Sequence, residues 1–231
     1  MGTFQVVILV ALQHRALPDQ SCHKLLPAPA FIMKAEAKDF SCLDPAEKTE
    51  RTDMTENTEN YIYQNSPDNK YRYVLGTKGS NPLIVMSINP SVGAPDVKSS
   101  TVGTVKHIAA DYGYDSWIIL CLYPQRATHL NELTELADPA QIQKNNEVIE
   151  EILSQYPNHK IWAAWGTHYK QRAFFPQCLA DIVKISSKYH ESWMHYGPLD
   201  EGGLPAYCLY LEPNEGWYPF DGHQFLSKTL Y

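Results

Sequence analysis

Residues Pro82-Leu83-Ile84-Val85-Met86-Ser87-Ile88 run with a single polar interruption and stop on Asn89-Pro90-Ser91-Val92-Gly93. Unbroken apolarity over seven residues suits a strand buried on both faces, as in a parallel sheet covered above and below by helices; a strand with one wet face would alternate. In such sheets ligands bind beyond the carboxyl ends of the strands, so the polar tip Asn89-Pro90-Ser91 is the first place to look for a site.

The chain after Asn69 repeats this pattern. Tyr71-Arg72-Tyr73-Val74-Leu75 alternates like an edge strand, and residues 76–81 turn into the apolar run. Ser99 or Ser100 can cap a helix with Val102, Val105, Ile108, Ala109 and Tyr112 on one stripe and Gly113 as its stop. A second buried strand, residues 117–123, ends on Pro124-Gln125-Arg126-Ala127-Thr128-His129. Asp138-Pro139 starts a helix whose face is Ile142, Ile149, Ile152, Leu153 and Tyr156. Residues 160–165 form a third buried strand, and Gly166-Thr167-His168 turns into a helix that Pro176 breaks or restarts. Tyr207-Cys208-Leu209-Tyr210-Leu211 is the last strand candidate, followed by an aromatic tail, Trp217-Tyr218-Pro219-Phe220. The alternation predicts one α/β domain over residues 70–231, with three layers and a mainly parallel sheet covered by helices on both faces. Right-handed crossovers then bring three tips to one rim, at Asn89-Pro90-Ser91, Arg126-Ala127-Thr128 and Gly166-Thr167-His168.

Residues 1–69 read differently. Pro18, Pro27, Pro29 and Pro45 interrupt every potential element, and residues 48–60 are polar without an apolar period. Such a segment buries too little surface to offset its ordering entropy, so a poorly ordered extension is expected. The apolar run at residues 4–12 lacks a basic region before it and a small-residue cleavage site after it, which argues against export.

Composition narrows the function classes. Net charge is −7, and from Tyr71 onward 12 Lys or Arg face 16 Asp or Glu, which disfavours a broad phosphate-tracking surface. Five widely spaced cysteines with no CxxC pair suit a reduced, cytoplasmic protein without a zinc ribbon. No run approaches the roughly 18 apolar residues of a membrane span. His190 and His195 have no metal-ligand spacing, and GxSxG, GxxxxGK and GxGxxG are all missing, so neither a metal nor a cofactor is implied.

Among the tips, the Asn89 amide can hold a water or read the edge of a base, or it can simply bond nearby backbone in an Asn-Pro turn. Arg126 can grip a phosphate or bond the carbonyls of neighbouring elements. His168 can serve as general base or phosphate donor, or face solvent. Asp96 can act as base or ligand, or cap a turn.

Taken in order, Arg72-Tyr73-Val74-Leu75, Asn89-Pro90-Ser91, Thr101 before a helix and Gly113-Tyr114 after it, Arg126-Ala127-Thr128, Asn145-Asn146, Ala163-Ala164-Trp165-Gly166 and Leu209-Tyr210-Leu211 resemble an uncharacterised bacterial and phage family, the domain of unknown function numbered sixteen forty-three. The family usually has Asn where this chain has Cys121, and His-Pro where it has Tyr207-Cys208. More distantly, Ser87-Ile88-Asn89-Pro90-Ser91 is similar to the first motif of the mismatch-specific glycosylases of the uracil-DNA glycosylase fold. That resemblance implies Asn89 as the holder of a hydrolytic water, and a final His-Pro that this chain lacks.

These readings lead to one expectation: a nucleotide or nucleobase pocket at the strand rim, with base–sugar hydrolysis as its chemistry. Asn89 and His168 are the catalytic candidates; Pro90, Ser91, Arg126, Thr128, Trp165, Gly166 and Tyr207 are the ligand-binding ones. A free nucleotide or nucleobase, or single-stranded nucleic acid, would be the partner. A non-catalytic binding or partner-interaction module that keeps the fold is the alternative.

Overall fold

A computed structural model of the chain describes residues 60–95, 97, 99–209, 211 and 215–229. Most of the expected extension, and Asp96, lie outside the described residues. The extension's end does not: Tyr61–Asn65 is a strand, β1, which pairs antiparallel with β2, Arg72–Thr77, placing Tyr61 opposite Thr77. The ordered sheet therefore begins before the Tyr71 boundary expected from sequence. Tyr61 and Tyr63 lean on one face of the sheet and Ile62 on the other. Three apolar side chains split between two faces leave no alternation to notice beside the polar run before them.

The remaining strands are β3, Pro82–Ser87, β4, Ser116–Cys121, β5, Lys160–Ala163, β6, Ser192–Tyr196, and β7, Trp217–Phe220. They form one sheet in the order β1-β2-β4-β3-β5-β6-β7. Every residue of β3 and β4 is buried, as their apolarity predicts. The four central strands, β4-β3-β5-β6, are parallel, whereas β1-β2, β2-β4 and β6-β7 are antiparallel. The sheet is thus mixed, and the mainly parallel sheet expected from sequence is corrected at both edges. β2 and β7 run antiparallel to the core strands beside them, so no crossover helix is needed to add them.

The residues 207–211 do not form the last strand. They lie in turn and irregular structure where described, within a segment broken by Pro198, Pro205, Gly202 and Gly203. β6 takes that place, a strand whose Ser192, Trp193, Met194, His195 and Tyr196 carry too mixed a polarity to stand out. The aromatic tail becomes β7, with Pro219 opposite Met194. Pro219 lacks an N–H but sits on an edge strand, where no second neighbour requires one.

Helix α1, Ser100–Asp111, links β3 to β4 and ends as predicted at Gly113 with φ +75. Helix α2, Pro139–Gln155, links β4 to β5 and starts on Asp138, whose side chain accepts from the Ala140 N–H. Helix α3, Phe175–Ser187, restarts after a 3-10 helix at Gly166–Gln171, with Pro176 in its first turn. Helix α4, Gly222–Thr229, follows β7. Val105, Ile108 and Ala109 of α1 pack with Leu83, Val85 and Trp117 on one face, while α2, α3 and α4 pack on the other.

This division follows from handedness. The chain moves from β3 outward to β4, then back across β3 to β5, so right-handed crossovers must put α1 and α2 on opposite faces. The loops leaving the carboxyl ends of β3 and β5 diverge, and the crevice between them is where an open α/β sheet holds a ligand.

Candidate functional site

A cleft of about 770 Å³ occupies that position. Asn89, Ser91 and Val92 line it from the turn after β3, Ser99, Ser100 and Thr101 from the start of α1, and Thr128, His129 and Asn131 from the loop after β4. His168 and Gln171 of the 3-10 helix after β5, and Tyr207 and Leu209 of the late loop, complete it. The three expected tips converge, and its volume is that of a small-molecule pocket. None of these lining residues is Asp, Glu, Lys or Arg.

Asn89 is 9% exposed. Its Nδ2 donates to Pro90 O at 3.0 Å and Ala127 O at 3.0 Å, with Gln125 O at 3.5 Å. Three facing carbonyls accept only from an N–H, which assigns the amide orientation. The bond-to-backbone alternative therefore holds for the nitrogen, and it turns the other end of the amide into a fixed acceptor. Oδ1 has no hydrogen-bond partner among the described residues, and Asn89 lines the cleft.

His168 lies 5.7 Å from Tyr207, ring centre to ring centre and edge-on. Gln171 Nε2 donates to its Nδ1 at 3.3 Å, an arrangement that puts the proton of the neutral ring on Nε2. Tyr207 is held from below. A Cβ on Gly166 would stand 2.8 Å from the Tyr207 Cβ, and Gly166 has φ +65, so only glycine lets the β5 turn pass under this ring. Burial pushes the Tyr207 hydroxyl up to about 12 and the neighbouring Cys208 thiol likewise to about 12. Both stay protonated at neutral pH.

Thr128 reaches the cleft on a loop shaped by Glu132, whose Oε2 accepts from the N–H groups of Thr128 and His129 at 3.0 and 3.2 Å. Ser91 lines the cleft, whereas Pro90 is buried outside the lining, where its O also accepts from the Ala127 N–H at 2.9 Å.

Besides Pro90, two of the expected ligand-binding side chains are placed elsewhere. Arg126 Nη1 donates to Ser91 O at 2.7 Å and Gly93 O at 3.4 Å, and Nη2 donates to the Tyr63 hydroxyl at 2.7 Å. Its guanidinium serves the carbonyls behind the β3 turn, the second of the two roles open to it from sequence. Trp165 is 0% exposed, packed among Trp193, Phe220, Phe225 and Tyr169 in the core beneath α3 and α4. The cleft also recruits Thr101, His129, Asn131 and Gln171. His129 was visible as part of a strand tip and Thr101 as a residue of the family pattern; Asn131 and Gln171 lie within the 3-10 segments Leu130–Glu132 and Gly166–Gln171 and carried no signal.

Beside Arg126 stands Arg72, 4% exposed, donating from Nη1 to the same Gly93 O at 2.9 Å. Burial lowers its pKa, with the charge of Arg126 acting in the same direction. Neither arginine has an ion-pair partner among the described residues, and both Nε atoms are buried without an acceptor. No group of three His, Cys, Asp or Glu that could hold a metal occurs among the described residues, and no helix there is long and apolar enough to cross a membrane.

A family model described as "Protein of unknown function (DUF1643)" matches residues 72–206, from the start of β2 to the residue before Tyr207. No curated protein and no solved structure matches.

Proposed function

The chain belongs to the family of proteins of unknown function DUF1643, a membership that names no reaction, and from the cleft itself we propose that it binds a nucleobase-bearing small molecule at the rim between β3 and β5. The observation that carries this reading is the Asn89 amide, locked by backbone carbonyls so that Oδ1 presents one fixed acceptor to an uncharged polar pocket. A fixed acceptor flanked by hydroxyls and an imidazole suits a ligand edge with alternating donors and acceptors, as a base has. Tyr207 and His168 offer faces for stacking. The acidic chain favours a free base, nucleoside or nucleotide over duplex DNA, whose extrusion of a base needs a firm backbone grip.

Base–sugar hydrolysis is the second reading. Asn89 Oδ1 would accept a hydrogen bond from water, the water oxygen would bond to the anomeric carbon, and the base would leave with the pair of the broken C–N bond. His168 would take the proton on Nδ1, giving up the hydrogen bond that Nδ1 accepts from the Gln171 amide. The uracil-DNA glycosylase-like fold belongs to this proposal and is supported only by the Asn89-Pro90 tip and the order of elements.

The test is a calorimetric titration of the full chain with bases, nucleosides and nucleoside monophosphates, repeated on His168→Ala and Thr101→Val, which hold no part of the sheet. One base class binding to the native protein and at least tenfold weaker to both variants is expected. Absence of binding by every base would overturn the proposal; base release from a bound nucleoside would favour the second reading.

A further inference from the structure

We infer that the cleft's ligand carries an anionic group, a phosphate or carboxylate, seated where α1 begins beside the β3 turn. This rests on the nucleobase reading above and narrows it to nucleotides over free bases.

Three observations converge on that wall. First, Ser99, Ser100 and Thr101 line the cleft, and Ser99 occupies the N-cap without a side-chain cap bond. The leading N–H groups of a twelve-residue helix are thus not satisfied by that side chain, and they sit at the positive end of the helix dipole. Second, Arg72, which is buried, and Arg126, which is half-buried, hold two positive charges on the Ser91 and Gly93 carbonyls behind the same wall, with no carboxylate against them among the described residues. Taking the Arg72 guanidinium out of water without a counter-ion is costly, so the fold keeps a positive field there against its own stability. Their grip also orients the wall: the Ser91 carbonyl turns to Arg126, so across the planar peptide the Val92 N–H faces away from the arginines. Third, Asn89, nine-tenths buried with Oδ1 unpartnered, marks the other side of the same cleft as built to meet a donor group. An acceptor at one end and a positive, N–H-rich wall at the other fit a ligand with a donor-bearing base and an anionic substituent. The lining itself carries no charged side chain, so the anion would be held by backbone and by field, with the two guanidinium groups as positioning residues.

Inorganic phosphate, the probe, tests this independently of any base. Thermal melts of the full chain in increasing phosphate, against chloride at equal ionic strength, should show a saturable rise of about 2–4 °C at roughly ten times the apparent Kd. Ser99→Asp supplies a better cap and a fixed negative charge, so the variant keeps its fold and should melt higher than native protein without phosphate. It should then lose the phosphate response, and bind a nucleoside monophosphate no tighter than the parent nucleoside. No response in the native protein, or an equal response in Ser99→Asp, overturns the anion site. Should phosphate stabilise while no base or nucleoside binds, the anion site stands and the nucleobase reading falls. Should nucleosides bind as tightly as their monophosphates, the reverse holds.

Discussion

The side-chain amide of Asn89 donates to the carbonyl of Ala127 at 3.0 Å, stitching the turn after β3 to the turn after β4. One side chain thus sets the spacing of two cleft walls and, through its remaining oxygen, the polarity between them. Structural and functional roles meet in the same group.

Asn89→Asp separates these roles. An ionised carboxylate has no donor for the carbonyls of Pro90 and Ala127 and would face them with like partial charge. Urea unfolding should show a loss of about 2–4 kcal/mol at pH 7, with part regained as the carboxyl protonates below about pH 5. A loss under about 0.5 kcal/mol would mean that the amide does not hold the turns together.

Gly166→Ala places a Cβ against the Tyr207 Cβ at 2.8 Å in a left-handed conformation. A destabilisation of about 1–3 kcal/mol is expected, together with weaker ligand binding as Tyr207 is displaced. Stability loss with unchanged affinity would place Tyr207 outside the binding surface.

Trp165→Phe addresses a side chain that lies in the core, not the cleft. Its indole Nε1 is buried without a partner, so removing that N–H offsets part of the lost packing. Thermal denaturation should report a change below about 1.5 kcal/mol, and ligand affinity should not move.

Glu191 follows α3 with both carboxylate oxygens buried and unpartnered, and burial raises its pKa to about 8. The folded state therefore holds a proton that the unfolded chain has already released above its ordinary value of 4.5. Stability present below pH 4.5 is lost progressively as pH rises to about 8. Glu191→Gln removes this dependence, so its melting temperature should match native protein near pH 5 and exceed it near pH 8.5. Parallel pH profiles for the two would rule out a protonated Glu191.

Much of this molecule was legible in its sequence because burial on both sides leaves a plain trace. The runs at 82–88 and 117–123 read as central strands, and Asp138-Pro139 and Gly113 marked helix ends, because each depends on neighbours within a few residues. β1, β6 and β7 were missed or misplaced for the opposite reason. An edge strand is defined by the partner it bonds, and residues 192–196 carry no periodicity of their own strong enough to outbid the apolar-looking 207–211. The tips Asn89, Thr128 and His168 could be named as site candidates because chain topology alone sends them to one rim.

The fate of each side chain at that rim was another matter. From the sequence, the amide of Asn89, the guanidinium of Arg126 and the indole of Trp165 were equally able to face a ligand, since residue type sets only what a group can bond. Which partner it meets depends on atoms dozens of residues away: Ala127 for Asn89, Ser91, Gly93 and Tyr63 for Arg126, Phe220 and Phe225 for Trp165. Local chemistry and pattern determined the elements and the rim. Only tertiary structure decided which polar atoms were consumed in holding the rim together and which, like Asn89 Oδ1, were left over to act.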